Sequence, residues 1–262
     1  MKIGTSVHTH LRTVMASVSR LLIITSWIKL ALGFSALSIF STLYMPLFLL
    51  FLPSRRIRIY LGNIYGKIIS PIVLFILGTR IKILGKNNLQ KPYPAIYLSN
   101  HSSQLDPLIA ILVAPVGGCG VAKKEILSVP FFGWAYRLSG HLTIDRSNRD
   151  SAIQSMKEMG GIMKDHNIGV WIWPEGTRSI DGTLLPFKKG FAHIALQTKL
   201  PIVPVVVSGA GELWKNKTFI VRSGTFTVEA LPAISTEDWK HETLQEHIES
   251  IEQVYKEALG QV

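Results

Sequence analysis

A histidine and an aspartate stand five positions apart, directly after a short apolar segment. Residues 95–98 are apolar, Asn100 and His101 follow them, and Asp106 precedes Pro107. This pattern predicts a strand, a turn and a helix that starts at the aspartate. The turn would let Asp106 fold back onto one ring nitrogen of His101, leaving the other to take a proton from a hydroxyl. A turn histidine beside an ordinary helix cap fits the same spacing.

A second charged segment follows an apolar strand at 170–173. It reads Pro-Glu-Gly-Thr-Arg-Ser, and Gly176 permits a tight turn that presents Glu175 and Arg178 at the end of the sheet. Arg178 suits bidentate binding of a phosphate. Glu175 can accept hydrogen bonds from a polyol hydroxyl or hold Arg178 in place. A surface turn with a solvated ion pair is the alternative interpretation.

Two further segments complete the set. A predicted strand at 141–144 ends in Asp-Arg, where Arg146 can bind a phosphate or pair with a carboxylate, whereas His141 is expected to serve packing. Residues 200–207 are apolar apart from two prolines and predict a buried strand behind the site.

Charge is distributed unevenly along the 262 residues. No Asp or Glu precedes Asp106, while 12 of the 28 Lys and Arg residues do, so residues 1–105 carry +12 and the remainder carries 16 − 17 = −1. The basic part is interleaved with long apolar runs and lacks aromatic base-stacking motifs, which favours a membrane over nucleic acid as its partner. The single cysteine, Cys119, excludes an intrachain disulfide and a cysteine-based zinc site.

The apolar runs predict a permanent membrane anchor. Residues 30–52 are uncharged and long enough to cross a bilayer, whereas the run at 68–78 is too short to do so alone. Basic residues flank the longer run on both sides, so its orientation stays open. It either spans the membrane or forms a hairpin within one leaflet, with both basic flanks on lipid phosphates. The hairpin is favoured over the spanning helix, and both over a buried helix of a soluble core.

From residue 85 onward, short β-rich runs alternate with helical stretches, which predicts an α/β fold. The candidate strands are 81–84, 95–98, 120–122, 141–144, 170–173, 202–207, 219–221 and 225–230. The candidate helices are 107–114, 148–165, 188–198 and 236–259, the second and fourth with capping patterns at Ser147/Asp150 and Ser235/Asp238. We therefore expect a mixed sheet flanked by helices at 85–262, preceded by a membrane-embedded helical anchor at 1–84.

Taken in order, the four segments resemble the four motifs of the glycerolipid acyltransferase family, which includes 1-acylglycerol-3-phosphate acyltransferases of the PlsC type. The first matches Asn-His-x4-Asp and the third Pro-Glu-Gly-Thr-Arg-Ser, and the resemblance covers about residues 85–230. Two departures are Leu142-Thr143, where a more apolar or aromatic pair is usual, and Trp173, where phenylalanine is usual.

The resemblance implies roles for individual residues. His101 would be the general base, oriented by Asp106. The residues implied to bind the phosphate of the acceptor are Lys123, Arg146 and Arg178. Those implied to form the acceptor pocket are Glu175, Gly176 and Thr177.

The reaction implied is transfer of a fatty acyl group from acyl-CoA or acyl-ACP to the sn-2 hydroxyl of lysophosphatidic acid, giving phosphatidic acid. No cofactor, metal or nucleic acid is expected, and the partners are membrane lipids and the acyl donor. The expected location is a membrane, the inner one in a bacterium, with the site facing the cytoplasm. Two alternatives remain: the same chemistry on glycerol-3-phosphate, a lyso-ornithine lipid or another lysophospholipid, and a non-catalytic membrane lipid-binding protein. The oligomeric state is not indicated.

Overall fold

The computed structural model describes residues 3–91, 93–144 and 149–261, and of residues 3–18, 149–153 and 157 it describes the backbone alone. Arg146 and the predicted capping pattern of Ser147 and Asp150 therefore lie outside what the structure describes.

The centre of the fold is a mixed seven-stranded sheet, which confirms the predicted fold class. Its strands are β1 Thr79–Leu84, β2 Ile96–Ser99, β3 Cys119–Lys123, β4 Leu142–Ile144, β5 Val170–Ile172, β6 Ile202–Ser208 and β7 Gly224–Ala230. The strand order is β1-β7-β6-β2-β5-β3-β4. Strands β6, β2, β5, β3 and β4 are parallel to one another, β7 is antiparallel to β6, and β1 is parallel to β7. The five parallel strands consequently end at one edge of the sheet.

Helices cover both faces of this sheet. They are α1 Ile3–Leu50, α2 Arg55–Ile76, α3 Lys86–Gln90, α4 Asp106–Val113, α5 Phe132–Leu138, α6 Arg149–His166, α7 Gly190–Thr198, α8 Ala210–Leu213 and α9 Leu244–Leu259, with a 3₁₀ helix at Lys124–Ser128. Alternate residues of β2 point into two hydrophobic clusters: Ile96 and Leu98 join α6, α7 and α9, whereas Tyr97 joins α2 and α4.

Two sequence predictions are wrong in detail. Residues 219–221 do not form a strand, because the N–H and C=O of Val221 bond to Ser26 Oγ on α1 instead of a neighbouring strand. The last helix begins at Leu244 and not at residue 236. Thr236 Oγ1 donates to the carbonyl of Leu200 and Lys199 Nζ to that of Trp239, so this segment is held against the turn that precedes β6.

Helices α1 and α2 form a hairpin whose second arm belongs to the body of the protein. The apolar run at 68–78 is the end of α2, a 22-residue helix that packs on α4. Three of its basic side chains donate to backbone carbonyls. Arg55 donates to residue 140 and Arg58 to residue 138. Lys67 donates to residues 112 and 114. Each of these cations thus has a partner within the protein, whereas Arg56 is exposed. The expectation that the basic flanks of the apolar run lie on lipid phosphates stays a prediction.

Helix α1 docks along one stripe. Ser26, Gly33, Ser41 and Phe48 are buried at intervals of seven or eight residues, the spacing of one helix face. The remaining surface of α1 exposes large apolar side chains, among them Leu21, Trp27, Leu32, Leu43 and Leu50. Both α1, over residues 19–50, and α2 are long and apolar enough to cross a membrane. The division of the chain at residues 84 and 85 stays a prediction, and β1, which ends at Leu84, pairs with β7 in the sheet.

Candidate active site

The two segments that carry His101 with Asp106 and Glu175 with Arg178 meet where β2 and β5 end. These strands are parallel neighbours, with Leu98 opposite Ile172, so the residues that follow them emerge side by side. Asn100 fixes the start of the first segment, because its side-chain amide exchanges two hydrogen bonds with the backbone of Val207 in β6. The segments are also joined directly, since the N–H of Ser179 donates to the carbonyl of His101 at 2.8 Å.

His101 and Asp106 form a buried pair. Nδ1 of His101 lies 2.6 Å from Oδ2 of Asp106, and the residues are 8 % and 2 % exposed. The same Oδ2 accepts the backbone N–H groups of Ser102 and Ser103, each at 2.9 Å. Helix α4 begins at Asp106, so its carboxylate turns back over the preceding loop. This arrangement assigns Nδ1 to the carboxylate and leaves acid–base chemistry to Nε2.

Trp173 supports the imidazole from its flat side. The two rings stack with centroids 4.7 Å apart and planes inclined by 20°. The indole Nε1 is buried and has no hydrogen-bond partner within the part of the chain that the structure describes. Trp173 therefore acts on His101 through the face of its ring, a contact that the usual phenylalanine would also provide.

Glu175 is tied to backbone groups. Oε1 accepts the N–H of His101 at 2.6 Å and Oε2 that of Leu185 at 3.1 Å, and the residue is 2 % exposed. Burial raises the pKa of this carboxyl to about 7, aided by the negative charge of Asp106 and opposed by the two amides. Glu175 thus holds the loop that carries His101, a contact that sequence reasoning did not anticipate.

The raised pKa of Glu175 predicts a pH-dependent stability. The folded protein keeps this proton to a higher pH than the unfolded chain, whose glutamates titrate near 4.3, so the stabilisation is complete below that value and is lost as the pH rises through about 7. We expect the free energy of unfolding of Glu175→Gln to fall less steeply between about pH 5 and 7 than that of the wild type. Urea titrations at several pH values in one detergent measure both slopes, and parallel slopes would contradict the prediction.

Arg178 is anchored to the same loop. Its Nε donates to the carbonyl of Ser103 at 3.1 Å, and the side chain is half-buried. Burial lowers the pKa of the guanidinium, while the nearby carboxylate of Asp106 acts in the opposite direction. Because the anchoring bond uses Nε, the guanidinium is held in place at its inner nitrogen.

The turn between Glu175 and Arg178 requires glycine. Gly176 has φ of 71°, and an added Cβ would lie 2.9 Å from the side chain of Lys188. Lys188, which sequence reasoning did not identify, also donates its backbone N–H to the carbonyl of Pro174. Thr177 is exposed beside this turn.

Lys123 and His141 lie on or next to β3 and β4, which are not adjacent to β2. Lys123 is exposed at the end of β3, which is separated from β2 by β5, so their backbones are about 10 Å apart. His141 serves packing: its Nδ1 accepts the N–H of Gly120, and burial lowers its pKa to about 4. The described residues contain no group of three or more His, Cys, Asp or Glu side chains that could hold a metal.

Comparison with known proteins identifies the family of this chain. A family model described as "Acyltransferase" matches residues 80–208. A 1-acyl-sn-glycerol-3-phosphate acyltransferase of Limnanthes douglasii is 43 % identical over 234 residues, which are 89 % of this chain and 83 % of the relative. One of Saccharomyces cerevisiae is 37 % identical over 193 residues, 73 % of this chain and 63 % of the relative. The chain therefore belongs to the acyltransferase family.

A solved structure shows the same fold. The 1-acyl-sn-glycerophosphate acyltransferase PlsC from Thermotoga maritima superposes with a TM-score of 0.66 at 18 % identity, over 90 % of this chain and 95 % of that one. The family predicted from the four motifs is confirmed.

Proposed function

We propose that this protein transfers a fatty acyl group from acyl-CoA or acyl-ACP to the sn-2 hydroxyl of lysophosphatidic acid, giving phosphatidic acid. The observation that carries this proposal is the buried contact of 2.6 Å between His101 Nδ1 and Asp106 Oδ2. A pair of this kind orients one ring nitrogen for proton transfer, a feature that lipid binding alone does not need. The names of the relatives supply the acceptor, since they act on 1-acyl-sn-glycerol-3-phosphate.

His101 and Asp106 act in succession. Nε2 of His101 removes the proton of the acceptor hydroxyl as its oxygen attacks the thioester carbonyl, forming a tetrahedral intermediate. The negative charge of Asp106, fixed by two backbone amides, stabilises the imidazolium that results. When the C–S bond breaks, the departing thiolate takes the proton from Nε2, which regenerates the histidine. No residue of the protein becomes acylated in this sequence.

Arg178 is proposed to bind the acceptor phosphate. Its Nε is fixed to the loop of the histidine, so its outer nitrogens approach a bound acceptor at a defined distance from His101. We expect Arg178→Ala to raise the KM for lysophosphatidic acid about 10- to 100-fold, the loss of one or two bonds to a charged group, and to change the KM for acyl-CoA little.

The control for this prediction is Arg80→Ala, an exposed arginine of β1, which should leave both constants unchanged. Initial rates with each substrate varied in turn measure the effect. An equal rise in both KM values would contradict a role at the phosphate. Lys123 and Arg146 complete the proposed phosphate-binding set, and Glu175, Gly176 and Thr177 the proposed acceptor pocket.

The proposed anchor lies in the plane of the membrane. The docked stripe of α1 runs from Ser26 to Phe48, 22 steps of a helix or about 33 Å, which is close to the thickness of the bilayer core. A helix docked over that whole length on α2 and α5 cannot cross the bilayer while these two helices stay in water with the sheet. This packing supports the proposal that helix α1 lies in one leaflet with its exposed apolar side chains in lipid. We also propose that the site faces the cytoplasm.

Product analysis tests the proposed reaction. Purified protein in detergent is incubated with labelled acyl-CoA or acyl-ACP and, in separate samples, with lysophosphatidic acid, glycerol-3-phosphate, a lyso-ornithine lipid or lysophosphatidylcholine. We expect labelled phosphatidic acid from lysophosphatidic acid as the main product. A faster reaction with another acceptor would replace the proposed substrate, and the absence of product from every combination would favour a lipid-binding protein.

A further inference from the structure

We propose that Phe131 and Trp134 form a second membrane contact, made by the catalytic domain itself, which inserts into a bilayer surface that contains anionic phospholipid. We call this pair the aromatic ridge. The inference rests on the proposed function, because it specifies how the site reaches an acceptor that resides in the membrane.

The aromatic ridge exposes two large rings side by side. Phe131 is 40 % and Trp134 57 % exposed, and their centroids lie 5.8 Å apart in an edge-to-face arrangement. Phe132 lies between them in sequence, but its side chain points inward and packs on the hydrophobic core cluster that α1 also contacts. Exposed aromatic rings next to each other are typical of a surface that meets another apolar phase.

The backbone holds Phe131 in this exposed position. Phe131 has φ of 62° and ψ of −55°, and the N–H of Phe132 donates to the carbonyl of Pro130 at 2.6 Å, which defines a γ-turn with positive φ. This turn is rare and strained for a residue with a side chain. Gly133 fits closely behind it, since an added Cβ would lie 2.4 Å from the carbonyl of Leu127. While the protein is in water, the Phe131 ring stays largely exposed, so no burial of the ring compensates this backbone strain.

The aromatic ridge is continuous with the proposed membrane surface of α1. Helix α5, which carries Trp134, packs on α1. The end of α5 is tied to the start of α2, because Arg58 Nη1 donates to the carbonyl of Leu138 and Arg55 Nε to that of Gly140. The ridge and the helical hairpin therefore form one connected unit.

The charges around the aromatic ridge favour an anionic lipid surface. Lys123, Lys124 and Arg137 are exposed in the segment from β3 to α5, and Glu125 is the only acid between residues 119 and 144. Aromatic rings flanked by cations match the boundary between acyl chains and anionic headgroups. The hairpin of a second copy lacks the negative charge that would match these cations, because no Asp or Glu precedes Asp106.

The position of the aromatic ridge gives it a function in catalysis. The segment that carries it starts at the end of β3, on the same edge of the sheet as His101. Insertion of the ridge would hold this edge at headgroup depth, where the hydroxyl of a lysophospholipid lies. The ridge then promotes capture of acceptor from a membrane and leaves the chemical step unchanged.

A fluorescent label tests the insertion directly. Cys119 is buried, so a cysteine introduced by Trp134→Cys can be labelled selectively with an environment-sensitive dye. The matched control is Glu158→Cys on α6, which is exposed and lies on the other face of the sheet. The full chain is mixed with vesicles of phosphatidylcholine and phosphatidylglycerol that contain brominated acyl chains.

We expect a blue shift and bromine quenching at position 134 and neither at position 158. A label at 134 that stays in water while the protein sediments with the vesicles would overturn the proposal, as would failure to bind vesicles. A blue shift that grows with protein concentration without vesicles would assign the ridge to self-association instead. This readout does not depend on activity, so it separates failure of the ridge from failure of the proposed reaction.

A kinetic test asks whether the aromatic ridge serves membrane capture. Phe131→Ser combined with Trp134→Asp should raise the KM for lysophosphatidic acid presented in vesicles at least about 10-fold, as expected for the loss of two buried rings. The rate with a short-chain acceptor that is monomeric in water should change less than about 2-fold, and Phe131→Leu combined with Trp134→Leu should keep most vesicle activity. Equal losses with both acceptors would contradict the proposal.

Discussion

Replacement of His101 with alanine is expected to lower the rate of acyl transfer by about 100- to 10,000-fold, the usual contribution of a general base. The structural cost should be small, because Asp106 keeps the two backbone amides that fix its Oδ2. Vesicle binding should persist, since the membrane contacts proposed for α1 and α5 do not involve His101. The measurement is the turnover number at saturating donor and acceptor, alongside the thermal midpoint.

His101→Phe is the matched control for the loss of packing. A phenyl ring can stack on Trp173 as the imidazole does, but it cannot carry a proton. If proton transfer is the role of His101, the phenylalanine variant should be as inactive as the alanine variant. Recovery of activity in His101→Phe would show that the histidine acts through packing, and substantial activity in both would remove it from the mechanism.

Asp106 gives the second large expected effect, and two substitutions separate its charge from its hydrogen bonds. In Asp106→Asn the amide oxygen can take the place of Oδ2 and keep the N–H groups of Ser102 and Ser103. The imidazolium then loses its counter-charge, and we expect the turnover number to fall about 100-fold or more with little change in thermal stability.

Asp106→Ala should add a structural loss. It leaves the two backbone N–H groups without their acceptor, and each buried unpaired donor costs about 1–3 kcal/mol. The alanine variant should therefore be inactive and also unfold at lower temperature. Wild-type turnover in Asp106→Asn would contradict the assigned role, whereas equal instability of both variants would show that the aspartate is mainly structural.

Local contacts of the site could be predicted from sequence, and distant ones could not. The contact between His101 and Asp106 needs only a turn between a strand and a helix, and the residue types at 100–107 specify both ends of it. Glu175 illustrates the opposite case. Its partners are the backbone amides of His101 and Leu185, which lie 74 and 10 positions away, and a backbone amide has no signature in the sequence.

The anchor shows the same limit. A charge-free run at 30–52 identifies the apolar helix α1. The full length of α2 is harder to predict, because Arg55, Arg58 and Lys67 interrupt its apolar sequence. These cations are accommodated because backbone carbonyls at or just after the ends of α4 and α5 accept hydrogen bonds from them. Composition records the charge of a residue and not its partner, so the packing of α2 on α4 is visible only in the structure.

The predictions of strand and helix boundaries were wrong where hydrogen bonds and ring contacts to distant segments override the local conformational preference of the residues. Ser235 and Asp238 have the spacing of a capping box. However, Thr236 and Trp239 form hydrogen bonds with residues 199–200, and the helix begins only at Leu244. Phe219 stacks on Trp27 of α1, which draws residues 219–221 out of any strand. Both cases depend on segments that are remote in sequence.

The central claim is most directly tested by thiol release from acyl-CoA, measured with and without lysophosphatidic acid on purified wild-type protein and on His101→Ala. The account predicts release by the wild type that depends on the acceptor and matches the phosphatidic acid formed, with release by the variant reduced to about 1 % or less. Acceptor-dependent release that is equal in wild type and variant would contradict His101 as the base. Thiol release without any lipid product would contradict transfer to the acceptor itself.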